Sequence, residues 1–269
     1  MVSASGKDSR TTPGVKVITL LTDFGLKDPY VGIMKGIILS INPDATTVDI
    51  THDIMPQNIE EAAFLIEEYH RFFPPGTIHM AVIDPTVGSE RRPIIVSKDN
   101  NIFIGPDNGL FTLILDDAEA YLLENPDFML KEVSSTFHGR DIFAPAAAHA
   151  STGFHPSAFG KTISDPVRLY NLLPTAEGCS LKGRIVRFDR FGNAITNIKI
   201  DFLKEFLGNQ PFEVRLGGMV FTLLRKSYYE SESTCLIGSS GYLEFGYFKG
   251  SFKEQANVHK DDAVLIHRI

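Results

Sequence analysis

The strongest constraint on this chain's fold is the alternation in its first half between short apolar runs and segments of helical period. "VKVITLLTDFG" is a continuous, β-branched-rich run, the pattern of a strand covered on both faces. "YVGIMKGIILSI" has helical length and stops at Asn42-Pro43-Asp44. "ATTVDITH" reads as a second strand. From Pro56 to Phe73, Ile59, Ala62, Ala63, Ile66, Tyr69 and Phe73 recur at helical spacing, and Pro74-Pro75-Gly76 closes that helix. "TIHMAVID" is a third strand. This β-α-β-α-β rhythm predicts an α/β fold: an N-terminal Rossmann-like, mostly parallel α/β sheet domain. Two further β runs, "PIIVS" and "NIFIG", flank a turn at Lys98-Asp99-Asn100, and "GRDIFAPAAAHAS" reads as a small-residue helix suited to close packing.

The rhythm changes after about residue 165. "GRIVRFDRFGNAITNIKI", "FEVRLGGMVFTLL", "GYLEFGYFKG" and "AVLIHRI" are β runs separated by glycine and polar turns, with one helical stretch, "FLKEFL". They predict a smaller all-β barrel domain. The expected layout is a disordered lead over 1–14, the α/β domain over 15–165, a linker over 166–180 and the β-barrel domain over 181–269.

Composition narrows the function classes. A formal net charge of −7 argues against a broad nucleic-acid surface, which needs a basic footprint. No apolar run approaches the ~20 residues of a membrane helix, and the polar first fourteen residues lack the apolar core of a signal peptide. Cys179 and Cys235 lie far apart and form no C-x-x-C pair, as expected of ordinary reduced thiols. The expectation is therefore a cytoplasmic protein with no membrane and no nucleic-acid partner.

Polar residues cluster where an open sheet binds ligands, beyond the carboxyl ends of its strands. The first strand ends in Asp23 and Asp28, the second in His52 and Asp53, the third in "DPTVGSERR", with Asp84, Arg91 and Arg92. Each acid has two readings: a turn or helix-cap residue, or part of one shared crevice. Asp23, immediately before Phe-Gly, is the least cap-like and is well placed to accept two ribose hydroxyls. His138, Arg140 and Asp141 open the small-residue helix. In the β domain, "FDRFGNAITN" sets Asp189, Phe191, Asn193 and Asn197 close together; an aromatic beside Asn and Gly suits a flat heterocycle, and equally a β-turn. "GSSGYL" places Ser239 and Ser240 in a loop able to hold a carboxylate. No His/Asp cluster has metal-ligand spacing, and no phosphate loop, H-E-x-x-H or G-x-S-x-G is present.

Taken in order, "TDFGLKDPYVGIMKG", "PDATTVDITHDI", "RFFPPGTIHMAVIDPTVGSERR", "FIGPDNGL", "TFHGRDIFAPAAAH", "DRFGNAITNI" and "SSGYL" resemble the S-adenosyl-L-methionine hydroxide adenosyltransferases (SAM hydrolases), relatives of the fluorinases and chlorinases. The resemblance implies a homotrimer. Each ligand would lie between the N-terminal domain of one subunit and the C-terminal domain of the next. It implies cleavage of S-adenosyl-L-methionine (SAM) at C5′ by a water-derived nucleophile, giving adenosine and L-methionine without cofactor or metal. By motif, Asp84, Arg91 and His138 fall on the catalytic set of the water-using branch. Asp23 falls on the ribose grip, Asp28 and Asp189 on acids near the methionine ammonium, Phe191 and Asn193 on the adenine side, and Ser239 and Ser240 at the methionine carboxylate. The halogenating relatives place tyrosine and threonine where this chain has Asp84 and Val87, and serine at Gly139, and a carboxylate at that corner would repel halide. The alternatives are a halide-dependent adenosyl transferase and a non-catalytic adenosine or SAM sensor. Two departures from the family stand out: Thr86 replaces a glycine in D-P-G-V-G, and "EFGYFKGS" replaces an Asn-containing stretch beside the adenine, leaving Tyr228 or Tyr229 as candidates to cover the base.

Overall fold

The computed structural model describes residues 17–269, so the expected disordered lead over 1–14 lies outside the described residues. The chain forms two compact units, the first running to Leu169 and the second from Tyr170 to Ile269.

The first unit is a mixed α/β structure on a seven-stranded sheet. Its strands are β1 (Val17–Thr22), β2 (Thr46–Thr51), β3 (Ile78–Val82), β4 (Pro93–Lys98), β5 (Asn101–Pro106), β6 (Glu119–Leu122) and β7 (Thr162–Ile163), in the order β2-β1-β3-β5-β4-β6-β7. The pairs β1–β2, β1–β3 and β3–β5 are parallel; β4–β5, β4–β6 and β6–β7 are antiparallel. The sheet is thus mixed, where the sequence predicted one mostly parallel. The physical cause is local. Asp99 and Asn100 both take positive φ, 50° and 61°, the two-residue turn whose twist suits an antiparallel hairpin, so β5 returns beside β4 with no crossover helix.

The apolar strands are explained by two buried layers. Ile18 and Leu20 of β1, with Met80 and Val82 of β3, pack against Met34 and Ile38 of α1 (Tyr30–Ile41) and Ala144, Ala147 and Ala148 of α3 (Ala144–Ala150). Leu21, Ala81 and Ile83 face the other way, against Ala62 and Ile66 of α2 (Ile59–Tyr69). Alternate side chains of one strand feed opposite cores, and the polar residues among them, Thr19 of β1 and His79 of β3, are fully buried and bond each other at 2.9 Å. α2 begins at Ile59, not Pro56, because the Asn58 side chain accepts from the Glu61 N–H and caps the helix there. The stretch before α3 is a single π-helical turn, Gly139–Phe143.

The second unit is an antiparallel, barrel-like sheet. Its strands are β8 (Thr175–Glu177), β9 (Ser180–Phe188), β10 (Ala194–Lys199), β11 (Phe212–Leu216), β12 (Met219–Phe221), β13 (Ser233–Ile237), β14 (Tyr242–Tyr247) and β15 (Ala263–Arg268). Their order is β12-β11-β15-β9-β10-β14-β13, with β8 on β9. The sheet curls toward closure: the Arg225 N–H donates to the Cys235 carbonyl at 2.8 Å, joining the chain beyond β12 to β13. Leu181, Ile185, Val214, Leu243, Phe245, Val264 and Ile266 fill the interior. The helical stretch read as "FLKEFL" is α4 (Ile200–Leu207), which buries Leu203 and Leu207. Both cysteines are free thiols; Cys179 is exposed, and burial pushes the Cys235 thiol pKa upward. Among the described residues no helix is long and apolar enough to cross a membrane.

Candidate active site

The site starts from strand register. Thr22, the last residue of β1, pairs with Val82, the last of β3, so the chain exits carrying Asp23 and Asp84 are neighbours. β2 lies on one side of β1, and β3 with its partner β5 on the other. The strand order reverses here, the position at which open α/β sheets bind ligands at their carboxyl edge.

Beyond β3 the chain turns tightly. The Val87 N–H donates to the Asp84 carbonyl at 3.3 Å, and the Ser89 N–H to the Thr86 carbonyl at 3.1 Å. The left-handed residue of this turn is Gly88, at φ +80°, whereas Thr86 is not among the residues of positive φ. A threonine in place of the family's glycine therefore carries no backbone cost. A Cβ at Gly88 would collide with the Ser135 carbonyl, so this turn lies directly against the segment leading to His138.

The turn returns Arg91 onto Asp84. The Arg91 guanidinium donates from Nε to Asp84 Oδ1 at 3.1 Å and from Nη2 to Oδ2 at 2.5 Å, a two-pronged carboxylate grip. Nη2 also lies 2.7 Å from His138 Nδ1. The guanidinium packs over the Phe143 ring at 5.4 Å, and Nη1 is buried with no hydrogen-bond partner. Asp84 and Arg91 keep only 4% of their side-chain surface, so the pair interacts in a medium that screens it weakly. Arginine has no acceptor, so Nδ1 of His138 accepts, and in the neutral ring the proton sits on Nε2. Burial pushes the His138 pKa below its ordinary value and the Arg91 charge lowers it further; Asp84, Asp141 and the Ser134 carbonyl act in the opposite direction.

His138 stands just before the π-turn, and Asp141 within that turn holds the approach to it. The buried Asp141 carboxylate accepts from the Ser134 N–H at 2.8 Å, from Ser134 Oγ at 2.7 Å and from Arg140 Nε at 2.6 Å. Arg140 and Asp141 are thereby placed as supports for the loop. Phe24, Tyr30 and Phe137 meet edge to face, with centroids 5.2–6.0 Å apart, and tie the turn after Asp23 to the segment before His138. The sequence reading missed this trio; the signal available was an aromatic one residue from each of Asp23 and His138.

The remaining residues read from the sequence are placed as follows. Asp23 Oδ2 accepts from the Gln57 N–H at 2.8 Å. Asp28 is exposed in the turn before α1. In the second unit, Asp189 organises its own loop: Oδ1 accepts from the Phe191 and Asn193 N–H groups, both at 2.9 Å, and Oδ2 from Asn193 Nδ2 at 2.9 Å. Phe191 is left 76% exposed, a flat apolar face held by a stiff turn. The Asn193 carboxamide is buried, and its Oδ1 lies with the Tyr228 ring where a Cβ of Gly246 would stand. Of the two candidate tyrosines it is therefore Tyr228 that approaches Asn193, its hydroxyl donating to Glu244, while Tyr229 is exposed. Ser239 is exposed and Ser240 buried in the β13–β14 turn, which the Gly241 N–H closes on the Gly238 carbonyl at 3.0 Å. Asn193 precedes Ala194, which pairs with Phe245, and Ser240 precedes Tyr242, which pairs with Lys199. The two loops thus stand at opposite ends of the β10–β14 pair. Among the described residues no group of three or more His, Cys, Asp or Glu side chains is arranged to hold a metal ion.

Comparison with known proteins follows the same two units. The family model described as the SAM hydroxide adenosyltransferase N-terminal domain matches residues 18–160, and its C-terminal counterpart matches residues 183–265. The chain is 36% identical over 264 residues to the (R)-S-adenosyl-L-methionine hydrolase of Methanocaldococcus jannaschii, covering 93% of this chain and 95% of that relative. Identity to a fluorinase of Actinoplanes sp. is 32% over 269 residues, covering 86% of this chain and 90% of the fluorinase. Among solved structures, an uncharacterized conserved protein from Thermotoga maritima superimposes with a TM-score of 0.85 at 33% identity, covering 93% of this chain and all of that one. The chain belongs to the SAM hydroxide adenosyltransferase family.

Proposed function

We propose that this protein hydrolyses S-adenosyl-L-methionine to adenosine and L-methionine by in-line attack of a water-derived nucleophile on C5′. The observation that carries the proposal is the buried Asp84–Arg91–His138 cluster, beside Asp23 where the strand order reverses. The (R)-S-adenosyl-L-methionine hydrolase relatives support the same reaction.

The sulfonium departs as a neutral thioether, so the leaving group needs no proton and no metal. The protein must supply a nucleophile in line with the C5′–S bond. Free water, with a pKa of about 15.7, is a poor one. Holding it at near-attack distance removes up to roughly 7–11 kcal/mol of entropic barrier. Asp84 is the proton acceptor of the cluster, because Arg91 already occupies the one free lone pair of neutral His138. Arg91 fixes the carboxylate, and its unpartnered Nη1 is a donor suited to an oxygen that gains negative charge. His138 orients the pair through its Nδ1 on Arg91. A buried carboxylate at this corner favours water over halide.

Asp23 grips the ribose in this reading, and the N-terminal unit is Rossmann-like in how it presents the nucleoside at the carboxyl edge. The adenine stacks on Phe191 and meets Asn193, whose Nδ2 is committed to Asp189, leaving Oδ1 as the acceptor toward the exocyclic amine. Ser239 and Ser240 take the methionine carboxylate, with Asp28 and Asp189 near the ammonium. The family resemblance supports a homotrimer with shared sites, which light scattering tests, and the two free thiols are consistent with a cytoplasmic setting.

The deciding experiment is incubation with S-adenosyl-L-methionine in ¹⁸O-labelled water. Adenosine carrying the label on its 5′ oxygen supports hydrolysis. A 5′-halo-5′-deoxyadenosine formed only with halide redirects the assignment to the transferase chemistry, and tight binding without product redirects it to a sensor.

A further inference from the structure

We infer that His52 is a positioning residue for Asp23, an inference that rests on the reading of Asp23 as the ribose grip. β1 ends at Thr22, so no strand ladder holds the turn Asp23-Phe24-Gly25. A histidine just past the end of the neighbouring strand, β2, holds it instead.

The register between β1 and β2 slips just before this turn: Leu20 pairs with Asp49, but Leu21 pairs with Thr51, leaving Ile50 as an extra residue. Such a bulge re-aims the side chains that follow it. Here it brings His52, only 4% exposed, against the end of β1. Nδ1 of His52 lies 2.8 Å from Thr22 Oγ1, and Thr22 Oγ1 accepts from the Phe24 N–H at 3.3 Å. The His52 carbonyl accepts from the Gly25 N–H at 2.8 Å. Asp23 is therefore bracketed on both sides by groups that His52 holds. The ring is itself anchored: Nε2 faces Asp49 Oδ1 at 3.1 Å, within ion-pair distance though out of line for a hydrogen bond, and Asp49 Oδ2 accepts from Lys35 Nζ of α1 at 2.6 Å. The chain Lys35–Asp49–His52–Thr22 thus joins α1, β2 and β1 to the turn that aims the Asp23 carboxylate.

The test is calorimetry with the product adenosine, which binds without turnover, on wild type, His52→Ala, Asp23→Asn and the double variant. His52→Ala is expected to weaken adenosine binding about tenfold when Asp23 is present, and less than about twofold in the Asp23→Asn background. Discrimination between adenosine and 3′-deoxyadenosine should shrink in the same variant, which a purely structural defect would not cause. Thr22→Val removes the other half of the contact with little change of shape and should reproduce the loss. His52→Asn, which keeps an acceptor near Nδ1, should restore most of it. These two variants decide the matter if His52→Ala fails to fold. Equal losses in both backgrounds overturn the inference and leave the ribose reading standing. If Asp23→Asn binds adenosine as tightly as wild type, the ribose reading falls, and the inference with it.

Discussion

Arg91 holds Asp84 by both carboxylate oxygens while the same Nη2 reaches His138 Nδ1. The acid, the cation and the imidazole are thereby a single unit, and removing one disturbs the other two. Replacement of Asp84 by Asn keeps the shape and removes the proton acceptor. Turnover should fall at least about 100-fold, with kcat and kcat/KM falling together. Because the variant also strands a buried guanidinium, it should lose about 3–5 kcal/mol of stability, read from denaturant unfolding. Turnover within about tenfold of wild type would remove Asp84 from the role assigned to it.

The Arg91 charge is one of the two causes that lower the His138 pKa, burial being the larger. In Arg91→Gln the electrostatic part disappears, so His138 should titrate at higher pH than in wild type. Proton–nitrogen correlation spectra across pH 5–8 measure this directly. An unchanged titration would mean that burial alone sets the value.

Acid stability should follow the histidines first. Burial lowers the pKa of His79, to about 3 with a further push from His70, and also that of His149; His138 is lowered as described. Each of these rings is favoured neutral in the folded state. Each contributes stability that is fully present above about pH 6.5 and is lost as pH falls toward its folded value. Asp141 has a lowered pKa despite its burial, through Arg140 and Ser134, and adds its loss only below about pH 4. Urea midpoints should therefore decline already between pH 6.5 and 4.5. His79→Gln should flatten that decline by up to about 1.4 kcal/mol per pH unit.

Gly88 joins the turn after Asp84 to the loop before His138. Gly88→Ala adds a Cβ against the Ser135 carbonyl at φ +80° and must force the two segments apart. Stability should fall by about 1–3 kcal/mol, and kcat by more than stability alone explains, since Asp84 and His138 no longer share Arg91. Unchanged kcat in a folded variant would show that the two segments tolerate separation.

Phe191 is mostly exposed, so Phe191→Ala should change stability by less than about 0.5 kcal/mol. Loss of a stacked base should nevertheless weaken adenosine binding by up to about tenfold, measured by calorimetry. Unaltered binding would place the adenine elsewhere.

Several of these features were readable along the chain. Asp84, Arg91 and His138 could be singled out because carboxylate, guanidinium and imidazole followed apolar runs where bland turns are expected. Asp23 stood out because Phe-Gly is a poor cap sequence. Asp189 was read as a ligand group, yet all of the contacts described for it hold its own loop. A carboxylate that orders backbone N–H groups and one that awaits a ligand have the same sequence signature. Phe24, Tyr30 and Phe137 went unread because edge-to-face packing joins residues more than a hundred positions apart and leaves no periodic trace.

The sequence by itself determined the alternation of strands and helices, the change to β structure after about residue 165 and the polar strand exits. All of these follow from local periodicity and composition. It also carried the ordered motifs that mark the family. Only the tertiary structure decided that β5 pairs in parallel with β3, that one guanidinium nitrogen serves both Asp84 and His138, and that His52 reaches Thr22 across a bulge. These depend on register and on the direction of single side chains. Hydrophobic patterning constrains which face of a strand is buried, and it leaves unspecified which polar atoms meet at the strand's end.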